Sequence, residues 1–133
     1  MAKTMLRASG PFEVKITPQA TAHAGESSLG RMSIDKQFHG DLEGISAGEM
    51  LTAGTQVAGS AGYVAIERVT GTLGGRRGSF SLQHSGTMTR GSPRLTVTVV
   101  PDSGAEELTG LTGSMTIDIS AGKHSYEFNY SVG

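Results

Sequence analysis

The chain has 133 residues, 11 Lys and Arg against 12 Asp and Glu, a formal net charge of -1, and no cysteine. That length suits one domain, residues 1–133, burying about two thirds of its unfolded surface. The balanced and scattered charge excludes a nucleic-acid or anionic-membrane footprint, and the missing thiols exclude a disulfide framework, a cysteine nucleophile and a thiolate metal site.

The N-terminus, MAKTMLRASGPF, has no apolar h-region, and no run approaches the ~18 apolar residues of a membrane helix. These features point to a cytoplasmic protein without a membrane partner. Glycine is in excess, at 20 residues, about twice average usage. The glycines fall mainly between alternating runs or near their ends, as turns and barrel bends require.

In chain order, residues 1–9 read as a flexible segment. FEVKITP (12–18) then alternates, with Phe12, Val14 and Ile16 opposite Glu13, Lys15 and Thr17. Such period-two alternation marks a strand with one dry and one wet face. QATAHAGESSLG (19–30) is small, polar and aperiodic, hence a loop. RMSIDKQFHG (31–40) returns to period two, with Met32, Ile34 and Phe38 on one face and Lys36 among them. Asp41-Leu42-Glu43-Gly44 reads as a turn or bulge. A strand weakened by Ala, Gly and Thr runs through about 45–57, and Gly59 and Gly62 bracket the next turn.

Residues 63–100 carry the strongest signal, three alternating runs joined by turns at 74–77 and 89–93. Phe80, Leu82, His84 and Met88 share one side of the middle run, and Leu95, Val97 and Val99 one side of the third. PDSGAEELTGLTG (101–113) is a long connection that Pro101 opens, with a weak helical pattern over 103–109. SMTIDIS (114–120) presents Met115, Ile117 and Ile119 inward. After a tight turn at 121–123, His124, Tyr126, Phe128, Tyr130 and Val132 share one face of the last run. The pattern predicts an all-β protein of about eight strands. Its short successive turns favour an up-and-down antiparallel arrangement, and closure into a barrel removes the exposed edges.

The stretches GRMSIDKQFHGDLEG, GSAGYVAIERVTGTL, GSFSLQHSGTM, LTVTVVPDSG and HSYEFNY resemble a family of small bacterial proteins of unknown function. The resemblance covers the chain from about Gly10 onward. Members of that family are similar in fold to allene oxide cyclase and the dirigent proteins. This implies a closed, allene oxide cyclase-like eight-stranded barrel. Because those proteins are commonly oligomeric, it also implies a homodimer or homotrimer. The family has no common activity to carry over, so the resemblance supplies no catalytic residue.

Several polar groups interrupt or border otherwise apolar faces. His84 is either a core histidine satisfied by neighbours or an acid or base reaching a ligand. Glu67 and Tyr63 share one face of their strand, whose pattern leaves the inner side open. An inward Glu67 needs a partner, because an isolated buried carboxylate is costly. Lys36 is the candidate partner, unless its stem lies on the barrel rim with the ammonium in water. Tyr126 and its neighbours on the last run either line a pocket or fill the barrel. Lys36, Tyr63, Glu67, His84 and Tyr126 are therefore the candidate ligand-binding residues, expected where the bore meets polar groups.

The four histidines, His23, His39, His84 and His124, show no close metal-ligand spacing. No G-x-S-x-G element supports serine hydrolysis, and Gly74-Gly75-Arg76-Arg77 reads as a hairpin turn. No cofactor or metal is implied. The residues leave three functional classes open: a barrel binding a small, largely apolar molecule, a cyclase or isomerase acting by substrate positioning, and a filled barrel serving assembly.

Overall fold

Each alternating run buries one face, and runs joined by short turns pair antiparallel. The computed structural model describes residues 4–21 and 28–133. Among these it contains β1 (Leu6–Gln19), β2 (Leu29–Phe38), β3 (Leu42–Gly54), β4 (Ala61–Leu73), β5 (Arg76–Thr89), β6 (Ser92–Val99), β7 (Ala105–Glu106), β8 (Thr112–Ser120) and β9 (Lys123–Ser131). Neighbours along the chain are neighbours in the sheet, except that β6 passes to β8 and β9 closes on β1. The result is the closed, eight-stranded antiparallel barrel expected from the sequence. The two-residue β7 pairs with the first half of β5, through Gly78↔Glu106 and Ser79↔Ala105.

Several element boundaries differ from the sequence reading. β1 starts at Leu6, so residues 6–9, expected to be flexible, pair with β9 and bury Ala8. The supposed turn at 41–44 is mostly strand, because β3 starts at Leu42 and its weak pattern runs to Gly54. The 74–77 turn contracts to Gly74 and Gly75, both at positive φ, as a two-residue hairpin favours. Residues 103–109 form turns and β7 with no helix; Pro101 and the glycine corners leave too few residues for a stable one. Residues 22–27 of the expected loop, with His23, lie outside the described residues.

The bore is divided along its length. At one end Phe38, Leu42, Leu73, Phe80, Phe128 and Tyr130 fill it, and Leu108 and Leu111 from the β6–β8 connection cover the filling. Phe128 stacks between Phe80 and Tyr130, with ring centroids 5.8 and 5.2 Å away. At the other end the inward-facing Ile16, Met88, Leu95 and Ile119 remain exposed. The sequence assigned all four to inward faces, but those faces are not dry at this end, because the strands extend beyond the packed core. Of the residues expected inside, Phe80, Leu82, Val97 and Phe128 are fully buried and Ile117 is half-buried.

Leu82 and Val97 report on this packing. Leu82→Ala should cost about 2–4 kcal/mol and Val97→Ala less, since fewer methyl groups are lost. Urea midpoints of the two variants check the order; an unchanged midpoint for Leu82→Ala would refute the packed-core assignment.

Candidate functional site

The boundary between the filled and open halves of the bore is made by one carboxylate. Glu67 sits mid-strand on β4, opposite Gly48 of β3 and Leu82 of β5. The parity that puts Val69 and Leu73 in the core also turns Glu67 inward, with no exposed surface. This settles the face that the sequence pattern left open. Gly48 makes the placement feasible, since a Cβ there would run into Cα and Cβ of Glu67.

A buried carboxylate requires compensating donors. Lys36 of β2 donates from Nζ to Glu67 Oε2 at 2.8 Å, and Ser46 of β3 donates from Oγ to Oε1 at 2.7 Å. His84 of β5 places Nε2 2.5 Å from Oε2. Because a carboxylate only accepts, Nε2 carries the proton of that bond. Lys36, Ser46 and His84 are themselves 8, 5 and 3% exposed. Burial by itself pushes the Glu67 carboxyl up, but the His84 hydrogen bond and the Lys36 ammonium together outweigh it and hold the group at about 2. The Lys36 ammonium also lies over the rings of Phe12 and Phe38, 5.1 and 5.7 Å from their centroids.

Above this cluster is a cavity of about 160 Å³ lined by Lys36, Tyr63, His84, His124 and apolar side chains of β1, β2, β3, β6 and β8. It shares Met50, Tyr63, Leu95 and Ile119 with a wider apolar vestibule of about 600 Å³ at the barrel mouth. The Tyr63 ring is 6.4 Å from that of His84 and lies against Gly86, where a Cβ would overlap it. Burial, and then the Glu67 charge, raise the Tyr63 hydroxyl above its ordinary value.

The structure thus brings together four of the five sequence candidates. Lys36, Tyr63 and His84 border the cavity, and Glu67 lies beneath them, holding Lys36 and His84. Tyr126 is elsewhere, in the filled half of the bore. Its hydroxyl donates to the carbonyl of His39 and accepts from the Leu42 amide, each at 2.8 Å, fastening the β2–β3 turn. Of its stripe, His124 lines the cavity, while Phe128 and Tyr130 are filling. Ser46 was missed by the sequence reading, where it is one small polar residue in a strand rich in them. The signal that finds it is its register opposite Lys36. Among the described residues, no group of three His, Asp or Glu side chains is placed to hold a metal ion.

The Glu67 cluster has a definite acid signature. Its folded pKa, about 2, lies below the ordinary 4.5. Its contribution to stability is therefore complete above about 4.5 and is lost as pH falls towards 2. At neutral pH, Glu67→Gln strands Lys36 in the interior and should cost about 3–5 kcal/mol. The gap between variant and wild type should narrow as pH drops through that window, and adding Lys36→Met should restore part of the loss. Urea melts at a series of pH values measure this; a gap independent of pH would contradict a charged, paired Glu67.

Comparison with known proteins places this architecture. Among curated proteins no relative matches the chain. A crystal structure of a protein with unknown function from Shewanella oneidensis MR-1, of the DUF3224 family, is 55% identical, with a TM-score of 0.93 over 98% of each chain. The family model described as protein of unknown function (DUF3224) matches residues 8–130. The chain belongs to the DUF3224 family.

Proposed function

We propose that the barrel binds a small, largely apolar molecule carrying one polar group, at the open end of its bore. The observation that carries this reading is the cavity of about 160 Å³ with an apolar wall and the Lys36–His84 pair on its floor. Few polar groups converging in a mostly apolar concavity is the usual composition of a small-molecule site. The volume suits one ring, since an engineered cavity of about 150 Å³ takes up benzene. Substituents would extend into the vestibule. The filled-barrel reading describes the closed half of the bore, and the open half favours binding.

The allene oxide cyclase-like and dirigent-like label belongs to the same proposal and rests on the sequence resemblance. So does a cytoplasmic setting, on the cysteine-free composition. Assembly as a homodimer or homotrimer has support in Leu51, Val64 and Ile66, exposed side by side on the outer face of β3 and β4. Light scattering at tens of micromolar, a concentration matched to weak association, should give a mass above that of the monomer. A monomer there would refute the assembly.

Binding is measured by methyl NMR during titration with a panel of one- and two-ring compounds bearing a single hydroxyl or carbonyl group. Shifts of Ile34, Leu95, Ile117 and Ile119 should saturate together. Leu95→Trp, at the exposed mouth, should weaken binding about tenfold or more by filling the site, with little change in melting temperature. Shifts confined to the outer Ile45 and Leu51, or none with any compound, would overturn the reading.

A further inference from the structure

The floor of the cavity is more than a polar patch. Glu67 cannot itself serve a ligand, because its two oxygens already accept from Ser46, Lys36 and His84 and none of its surface is exposed. His84 differs. Its single hydrogen bond is through Nε2, yet no buried polar side-chain atom among the described residues lacks a partner. Nδ1 therefore reaches open space, and the space His84 lines is the cavity. In the neutral ring the carboxylate fixes the proton on Nε2, and Nδ1 then presents a lone pair to whatever is bound there. Lys36 shares the same carboxylate oxygen with His84 and lines the same cavity, with N–H groups beyond the one given to Glu67. A base and a cationic donor thus face one small apolar space, both oriented by one residue.

Resting on the binding reading above, we propose that His84 and Lys36 are catalytic residues that isomerise a small enolisable ketone by proton transfer within the cavity. For a β,γ-unsaturated ketone, Nδ1 takes a proton from the carbon between the carbonyl and the alkene. The electron pair of that C–H bond forms a new C=C bond, and the carbonyl π pair moves onto oxygen, where Lys36 donates to the oxyanion. The imidazolium formed is stabilised by Glu67, as an acid partner stabilises histidine in hydrolytic triads. In the return step the C=O bond re-forms, the double bonds shift, and the distal alkene carbon takes the proton back from Nδ1. The product is the conjugated enone, with no net gain or loss of protons or electrons. Glu67 is a positioning residue, and Ser46 holds its second oxygen.

The test uses the full chain and cyclohex-3-en-1-one, one ring in size, with formation of cyclohex-2-en-1-one followed by absorbance and binding by methyl NMR. Wild type should accelerate conversion above buffer. His84→Gln, which keeps a side-chain N–H donor for Glu67, should lose about 100-fold or more in rate while still binding the probe. Added imidazole should restore part of the rate to His84→Ala, a rescue that a merely structural histidine would not give. Binding without acceleration would overturn this inference and leave the binding reading standing. Failure of the probe to bind would exclude the ketone class, while compounds bound in the separate panel would still uphold the site. A His84→Gln rate equal to wild type would remove His84 from the chemistry.

Discussion

The open half of this barrel depends on one buried ion pair and the donors around it. A carboxylate taken out of water is costly by several kcal/mol unless geometry and additional hydrogen bonds compensate. Glu67 meets this with an ammonium, an imidazole and a hydroxyl from three different strands. β2, β3, β4 and β5 must all be in register for the four groups to meet, since a slip of one residue turns any of these side chains outward. The cluster therefore couples strand register to the polarity of the bore. Apolar residues of similar volume would fill the position at less electrostatic cost, so packing by itself does not account for the cluster.

The two halves of the bore differ in how they are packed. Below Glu67, stacked aromatics and the Leu108–Leu111 cap exclude solvent, and the Tyr126 hydroxyl satisfies backbone groups of the β2–β3 turn. Above it, the strands continue past the core and leave apolar side chains facing a space lined by Lys36, His84 and Tyr63. On the binding proposal, a ligand entering there would displace little of the packing that holds the barrel closed, and the floor it would meet is already organised.

Particular residues show how far the sequence was legible. Lys36 stood out as the lone charge on a dry face, and His84 as a titratable group in the most regular strand of the chain; both line the cavity. Glu67 was ambiguous because its strand carries apolar residues on both faces, Val64 and Ile66 outside and Ala65 and Val69 inside. Ser46 was invisible, since its role comes only from standing opposite Lys36. Tyr126 shares the parity of a pocket residue, but height along the bore decides its surroundings, and height is set by stagger between strands.

The sequence by itself determined the all-β class, the alternation that assigns inner and outer faces, the short turns that make the barrel a meander, and the family resemblance. These are local properties, carried by side-chain period and turn chemistry within a few residues. Tertiary structure alone decided which end of the bore is filled, which of the inward polar residues meet, and that Glu67 is the point where they meet. Those facts depend on register and closure between strands as distant along the chain as β2 and β5, and no local pattern encodes the offset of one strand against another.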